Sequence, residues 1–336
     1  MALGRKYIVS GKVLLISALP FIAISAFSCE KQDPYFAEVE IAPLILDTIS
    51  VSAKETHPYN VWTEDDDITI SQYASLGFSH QSAAAYGDYA FFVNNGRSQI
   101  LLYNLNKKEK LFSLSLKGVS GNTYHCNQCS FGVDKYDPED YFPLMYLSQR
   151  AKSDGRCFIE VYRVFPLYNE DLSDYESFAI ELVQTIYLPA MSYDNSLGNA
   201  NCAIDAERHR MVTYSRNNNS KEDNYGQCKI TEFPIPDLYQ KTVILNDSDI
   251  LSSFMLGVSA VNMQGGCIKG GILYIGQGYA SAGYIYLNIV DLRNKALIRR
   301  FDIQKYKVSW EPEGCFFYDG SVMLAHTSDI SRIDKN

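Results

Sequence analysis

Short apolar stretches separated by turns recur between residues 81 and 333, and they predict β-strands. In the clearest copy, Gln81-Ser82-Ala83-Ala84 precedes a turn and the apolar run at residues 89–93; further copies start at Asn127, Asn199, Gln264 and Glu313. Runs this short, bounded by turn residues and alternating at period two, are typical of strands rather than helices. Each copy therefore predicts the first two strands of one unit.

A second motif follows the first in four of the five copies. Gly96-Arg97-Ser98-Gln99-Ile100-Leu101-Leu102-Tyr103 is matched by segments that start at Gly155, Gly226 and Gly283. A polar turn and another apolar stretch come after most of these, at residues 111–116, 178–188, 242–245 and 297–303. Two motifs that recur in a fixed order indicate one repeated unit, a sheet of about four antiparallel strands.

Repeated sheets of this size predict an all-β fold, a single β-propeller. The unit starts lie 46, 72, 65 and 49 residues apart, and the shorter intervals match the roughly 40 to 50 residues of familiar blade repeats. We predict five blades, with insertions in the second and third units. A six-bladed ring that uses residues 57–75 and a flat sandwich are the alternatives.

The last unit contains only three strand-like stretches, whereas residues 43–52 are strand-like and have no unit of their own. Pairing of this N-terminal segment with the last blade would close the ring and remove an exposed edge. The prediction is one propeller domain, residues 43–336, closed by an N-terminal strand. An ordinary linker is the alternative for residues 43–52.

The first 28 residues are typical of an export signal. A basic start (Arg5, Lys6 and Lys12) precedes an apolar run at residues 13–27, shorter than the about 20 residues of a membrane-spanning helix. Ala26-Phe27-Ser28-Cys29 then resembles the cleavage site of bacterial lipoproteins, in which the cysteine is lipidated and begins the mature chain.

The next residues, Glu30-Lys31-Gln32-Asp33, resemble the acidic tether with which Bacteroidota send lipoproteins to the outer face of the outer membrane. These resemblances imply a signal peptide over residues 1–28, a tether over 29–42, and a lipid anchor at Cys29 that holds the protein in the outer membrane, facing the cell exterior. A solvated linker is the alternative for residues 30–33.

The charge of the chain excludes one class of partner. Removal of residues 1–28 takes away three basic residues and no acid, which leaves 27 Lys and Arg against 39 Asp and Glu, a net charge near −12. Such a surface repels nucleic acid, so we exclude nucleic-acid binding. The expected partners are the membrane, through lipidated Cys29, and a glycan or protein ligand.

The polar residues that open the repeats are the candidate binding groups. If the first motif forms the inner strand of each blade, these residues lie at one mouth of the central channel: Gln81, Asn127, Asn199, Gln264 and Glu313. Amides and one acid around a concave mouth suit a hydroxyl-rich ligand, because each donates or accepts hydrogen bonds. The alternative is a structural role in satisfying strand ends and channel waters.

Trp310-Glu311-Pro312-Glu313-Gly314 resembles the EPEG segment of bacterial propeller families that include helveticin-like and phytase-esterase-like proteins, over five residues only. Glu313 would be the acid of a carbohydrate-active or esterase-like hydrolase. Glycosidases need a pair of carboxylates, and the other ring positions hold amides, so we expect binding rather than catalysis. Asp205, Glu207 and Asp319 are the candidates for a second acid. A structural subunit of an outer-membrane assembly is a third hypothesis.

The cysteines indicate packing rather than chemistry. With Cys29 lipidated, seven remain, an odd number that forbids complete pairing within one chain. We predict small buried apolar side chains; a disulfide between Cys157 and Cys228, which share one position in neighbouring blades, is the alternative. Residues 125–129 lack the second ligand pair of a zinc site, and no dinucleotide or phosphate-loop motif occurs, so we expect no metal and no cofactor.

Overall fold

The computed structural model describes residues 37–39, 62–94, 99–116, 126, 128–149, 157–168, 175–189, 201–217, 219–306 and 311–336. All of them belong to one compact unit, Tyr35–Asn336; the other unit, Met1–Pro34, lies outside the described residues. Within these ranges the regular structure consists of strands and three short 3₁₀ turns, Asp247–Asp249, Ala280–Ala282 and Ile303–Tyr306. None of the described segments is a helix long and apolar enough to cross a bilayer.

Five small sheets follow one another along the chain, and each begins with its innermost strand. Blade 1 consists of β3 (Ser82–Tyr86), β4 (Tyr89–Val93), β5 (Gln99–Asn104) and β6 (Glu109–Leu116), with β1 (Ala37–Val39) outermost. Blade 2 consists of β7 (Gln128–Phe131), β8 (Met145–Gln149), β9 (Phe158–Tyr168) and β10 (Tyr175–Tyr187), with β14 (Thr242–Ile244) outermost. Blade 3 consists of β11 (Asn201–Asp205), β12 (Arg210–Arg216), β13 (Gln227–Pro234) and β15 (Ser252–Ser259).

The last two blades have four strands each. Blade 4 consists of β16 (Met263–Lys269), β17 (Ile272–Tyr279), β18 (Tyr284–Asp291) and β19 (Ala296–Asp302). Blade 5 consists of β20 (Gly314–Tyr318), β21 (Ser321–His326) and β22 (Asp329–Lys335), with β2 (Ile68–Ser75) outermost.

The inner strands contact one another in a closed cycle: β3 with β7, β7 with β11, β11 with β16, β16 with β20, and β20 with β3. Contact of the last inner strand with the first closes a ring, so the five sheets form a five-bladed propeller. The predicted all-β class and blade number are confirmed. The six-bladed ring and the flat sandwich are wrong, because residues 68–75 belong to blade 5 and the sheets follow one another around the channel.

An N-terminal strand closes the ring, as predicted. β2 pairs antiparallel with β22, from Ile68 opposite Lys335 to Ser75 opposite Asp329. This pairing supplies the outermost strand that blade 5 needs, since an open ladder would expose a row of backbone N–H and C=O groups. Residues 43–52, the segment proposed for this role, lie outside the described part of the chain.

One predicted outer strand belongs to a different blade. The sequence assigns residues 242–245 to the third unit, but β14 pairs in parallel with β10 of blade 2, and β15 is the outer strand of blade 3. The chain therefore crosses to blade 2 after β13 and returns. The hydrophobic pattern marks residues 242–245 as a strand but does not say which sheet edge the strand meets, because edge pairing is a tertiary contact.

The core lies between neighbouring blades. Alternate residues of a strand point to opposite faces of its sheet, so Leu147 of β8 joins the cluster with Phe91 of blade 1, whereas Tyr146 joins the cluster with Ile204 of blade 3. Because both faces are covered, the strands carry nearly continuous apolar runs.

This alternation also determines whether cysteines of neighbouring blades can form a disulfide. All seven described cysteines are free and buried, as predicted. Cys157 lies in the cluster between blades 2 and 3, and Cys228 in the cluster between blades 3 and 4. Equivalent positions face the same way around the ring, so the sheet of blade 3 separates the two sulfurs. The hypothesis of a disulfide between them is wrong.

Candidate functional site

The inner strands all begin at the same end of the channel. Neighbouring inner strands run in the same direction around the axis, and each continues into an antiparallel second strand. We call this end, with the residues at and just before each strand start, the channel mouth. The strands start at Ser82, Gln128, Asn201, Met263 and Gly314.

Two of the predicted site residues, Gln81 and Glu313, contact each other at the channel mouth. Gln81 precedes β3 and Glu313 precedes β20, the strands that meet where the ring closes. The Gln81 Nε2 group donates a hydrogen bond to Glu313 Oε2, and the two residues are only 7% and 4% exposed. Their proximity brings an amide and a carboxyl group to one side of the mouth.

The surroundings of Glu313 favour its protonated form. Burial raises the pKa of its carboxyl well above the ordinary value, and a hydrogen bond with the Glu311 carboxyl, together with the charge of that group, raises the pKa further. The hydrogen bond from Gln81 acts in the opposite direction and is a smaller effect. The predicted acid of the ring is therefore paired with a second carboxyl, two residues earlier, that sequence reasoning overlooked.

Gln264 belongs to β16 of blade 4, between the inner strands of blades 3 and 5. Asn201 Nδ2 donates to Met263 O and Gln264 O, each at 3.2 Å. The Gln264 side chain makes no hydrogen bond within the described residues, although the residue is only 8% exposed. Asn201 Oδ1 is buried and also lacks a partner in that part of the chain. An unsatisfied amide oxygen, Asn201 Oδ1, therefore lies beside the strand that carries Gln264.

The other two predicted residues, Asn127 and Asn199, lie outside the described residues. Among the described residues, Gln128 and Asn201, one and two positions further along the chain, begin the inner strands β7 and β11. Sequence reasoning missed both as channel residues. The signal that identifies them is the inner-strand cysteine that directly follows each one, since its burial between blades sets the register of the strand.

The Gln128 side chain closes the channel just below the mouth. Its Nε2 group donates to Gly266 O at 2.5 Å, and its Oε1 atom accepts from Gly266 N at 2.6 Å. The Tyr214 hydroxyl lies 2.8 Å from Gln264 O and 3.1 Å from Gln128 Oε1. Gln128 and Tyr214 are fully buried. The mouth is therefore a shallow recess with a polar floor.

Close backbone approach forms one wall of this recess. A Cβ atom on Gly265 would lie 2.3 Å from Glu313 O, and one on Gly314 would lie 2.6 Å from Ala83 Cβ. Only glycine permits these contacts. Because Gly265 follows Gln264 in the chain, this approach brings Gln264 next to the backbone of Glu313.

The acids considered as a second carboxylate lie at the opposite end of the channel. Asp205 is the last residue of β11, Glu207 follows it in the turn, and Asp319 follows β20. The expectation that they reach the mouth is wrong, because the mouth is formed by the first residues of the inner strands. Their hydrogen-bond partners at that end are Arg208, Gly270 and Arg332, respectively.

Cys126, Cys129 and His80, which could in principle bind a metal ion, are packed side chains. Across the described ranges, no group of three or more His, Cys, Asp or Glu residues is placed to hold a metal ion. Cys126 and Cys129 are buried in the apolar cluster between blades 1 and 2. The His80 ring packs edge-on against Phe92 at 5.2 Å, and burial lowers its pKa to about 4. His80 is therefore neutral near pH 7.

No protein-family model and no curated protein matches the sequence. Among solved structures, the chain is similar to Myxococcus xanthus glutaminyl cyclase, with a TM-score of 0.45, 9% identity, and coverage of 80% of this chain and 94% of that one. It is also similar to a luciferin-regenerating enzyme (TM-score 0.35, 10% identity, 77% and 73% coverage) and to a chain of the nidogen/laminin complex (0.32, 10%, 66% and 63%). These similarities carry no argument about ligand or activity.

Proposed function

We propose that this protein is a binding β-propeller that takes a neutral, hydroxyl-rich ligand, a glycan, at the channel mouth and catalyses no reaction on it. The observation that carries this proposal is the buried and unsatisfied Asn201 Oδ1, next to the strand of Gln264, whose own side chain makes no hydrogen bond among the described residues. Buried polar groups are almost always paired with protein, water or ligand. Sugar hydroxyls supply the donors and acceptors that both amides need.

The electrostatics of the mouth support a neutral ligand. Burial favours the neutral form of Glu313, which with Gln81 would present a neutral donor and acceptor pair, and Glu313 makes no ion pair among the described residues. An ionised carboxylate would be the natural partner of a cationic ligand, and burial disfavours that form of Glu313. The closed floor at Gln128 further limits the ligand to a short saccharide or the end of a chain.

The proposal includes anchoring at the outer face of the outer membrane through lipidated Cys29. Its support is the sequence pattern alone: the basic start, the apolar run at residues 13–27 and the small residues before Cys29. These residues lie outside the described part of the chain. A binder held there would meet its ligand at the cell exterior.

A hydrolase with Glu313 as general acid is a second candidate, favoured by the Glu311–Glu313 carboxyl pair. A carboxyl group with a raised pKa is what general-acid catalysis at neutral pH requires. However, Glu311 lies close enough to raise the pKa of Glu313, whereas glycosidase carboxyls stand roughly 5 to 10 Å apart to admit the sugar and water. This closeness favours binding over hydrolysis.

A glycan array with soluble protein that begins after Cys29 tests the proposal. Wild type should bind a defined set of neutral glycans, Gln264→Ala should lose them, and Glu313→Gln should keep most of the affinity because glutamine mimics the protonated acid. Gln240→Ala is the matched control, because Gln240 is an exposed amide in the segment that joins β13 of blade 3 to β14 of blade 2.

Two results would contradict the proposal: no glycan bound by wild type, or binding that survives Gln264→Ala unchanged. Turnover of a bound glycan that falls by roughly 100- to 10,000-fold in Glu313→Gln would establish the hydrolase instead.

A further inference from the structure

A chain of polar side chains crosses blade 4 outward from the channel mouth. Gln277 on β17, Asn288 on β18 and Arg300 on β19 lie on the face of the sheet that is turned toward blade 3. Gln277 Nε2 donates to Ser259 O at 2.8 Å and to Val261 O at 3.0 Å, which ties blade 4 to the loop that leaves blade 3. Asn288 Nδ2 in turn donates to Gln277 Oε1 at 3.2 Å.

Arg300 is held in one orientation by this network. Its Nε group donates to Asn288 Oδ1 at 2.8 Å, and its Nη2 group donates to Gln277 Oε1 at 2.7 Å. Both acceptors belong to fully buried side chains. The guanidinium carbon lies 4.6 Å from the centroid of the Tyr286 ring, so the planar group rests on an aromatic face.

The charge of Arg300 has no carboxylate partner in the described structure, in a chain that carries 39 acids and 30 basic residues. The nearest acid along the strand, Asp302, pairs with Lys305 at 3.4 Å. The Arg300 side chain is half-buried, and burial lowers its pKa. A partly buried cation is costly unless an anion compensates it, and here the protein supplies only neutral oxygens and a ring.

We propose that Arg300 binds the carboxylate of a ligand on the outer strand of blade 4, on the face turned toward blade 3. The Asn288 and Gln277 oxygens occupy the Nε–Nη2 edge of the guanidinium, which leaves the Nη1–Nη2 edge free to grip a carboxylate with two parallel hydrogen bonds. Tyr286 and Tyr284, stacked at 5.4 Å with 18° between their rings, offer a flat face to the body of the ligand.

The ligand class is therefore a carboxylate borne on a ring with an apolar face that can stack on tyrosine, such as the C–H face of a uronic acid. This site lies outside the recess at Gln264 and Glu313, and it does not depend on binding of a neutral glycan there.

Titration calorimetry of the full-length protein in detergent, at constant ionic strength, tests the proposal with glucuronate and its neutral analogue glucuronamide. Wild type should bind the acid at least about tenfold more tightly than the amide, because hydrogen bonds to charged groups are the stronger ones. Arg300→Gln should abolish this preference. Arg300→Lys should keep only part of it, since lysine retains the charge but lacks the two parallel N–H donors of the guanidinium group.

Arg299→Gln is the matched control, because it removes the same charge from the adjacent position, where the side chain lies over Phe301 in the interface with blade 5. It should keep the wild-type ratio. The proposal is overturned if wild type does not bind glucuronate saturably, if it binds acid and amide equally, or if Arg299→Gln loses the preference as fully as Arg300→Gln. If Arg300→Gln fails to fold, the ratio of glucuronate to glucuronamide affinity is compared between wild type and Arg300→Lys, and this comparison tests the proposal.

Discussion

Gln128 of blade 2 and Gly266 of blade 4 exchange two hydrogen bonds across the channel, at 2.5 and 2.6 Å. The side-chain amide bonds to both backbone groups of Gly266, as a neighbouring strand would, and so connects two blades that are not adjacent in the ring. Tyr214 of blade 3, which lies between them, donates toward the same amide oxygen. The channel axis at this level is a packed polar contact rather than an open pore.

Gln128→Leu should therefore lower the free energy of unfolding by about 2–4 kcal/mol, because it leaves the Gly266 backbone groups buried and unsatisfied. Gln149→Leu is the control: Gln149 is equally buried on the adjacent strand, but neither polar atom of its side chain has a partner in the described structure. That change should be neutral or stabilising. Urea denaturation of both variants provides the measurement, and equal losses would contradict the role of Gln128.

Glu313→Gln should stabilise the protein increasingly as the pH rises. The folded state keeps a proton on Glu313 that the unfolded chain releases above the ordinary pKa of 4.5. Wild type therefore loses stability from that pH up to the raised pKa of the folded state, by about 1.4 kcal/mol per pH unit. Glutamine, which mimics the neutral acid, removes this loss.

The difference in Tm between Glu313→Gln and wild type should be small at pH 4 and should grow toward pH 7. Glu207→Gln, at an exposed position at the far end of the channel, should show no comparable trend. A Tm difference for Glu313→Gln that stays constant with pH would mean that Glu313 is ionised in the folded protein.

His80 should contribute to acid unfolding. Burial lowers its pKa from 6.5 to about 4, so the unfolded state binds a proton first, and stability is lost as the pH falls through this window. His80→Leu should move the midpoint of acid unfolding, followed by near-UV circular dichroism, to lower pH. His209→Gln, on a ring that is 52% exposed and pairs with Asp134, should leave the midpoint nearly unchanged.

The cysteines should form no disulfides and should be shielded from alkylating reagents in the native protein. Burial raises the pKa of the thiols of Cys202 and Cys228 to about 12, so neither should react with iodoacetamide in the native protein near neutral pH. In urea without reductant, the chain that begins after Cys29 should take up seven adducts by mass spectrometry, one for each described cysteine. Five adducts would reveal a disulfide; the pair to map first is Cys267 and Cys315, which face each other between blades 4 and 5.

Cys29→Ala should release the protein from the membrane fraction, because the proposed anchor requires a thiol that carries lipid. Wild type should appear with the outer membrane and gain the mass of its acyl chains. Ser25→Ala, within the apolar run, is the control and should leave lipidation intact. Membrane association that persists in Cys29→Ala would show that another segment or partner holds the protein.

The repeated strands could be predicted from the sequence because the hydrophobic pattern of each blade involves residues that are close together in the chain. Residues such as Ala84 and Cys129 recur at inner-strand positions because a buried strand packed between two sheets requires small or apolar side chains there. The crossing of β14 to blade 2 carried no such signal, since a three-residue strand has the same pattern whichever edge it joins.

The candidate site was only partly open to prediction. The sequence indicates that Gln81 and Glu313 open equivalent strands, but their hydrogen bond exists only because the ring brings blade 1 against blade 5. Gln128 and Asn201 were not predicted as channel residues, and the predicted Asn127 and Asn199 lie outside the described part of the chain. Arg300 has no sequence signature, since its role depends on two amides from other strands.

The sequence by itself determined the all-β class, the five repeated units and the need for an N-terminal strand, because burial on both faces of a short strand constrains residues that are neighbours in the chain. Only the tertiary structure decided which edge each outer strand joins, that Gln128 closes the channel, and that burial beside Glu311 raises the pKa of Glu313. These features arise from contacts between residues far apart in sequence, whose distances and burial are set by closure of the ring rather than by any local pattern.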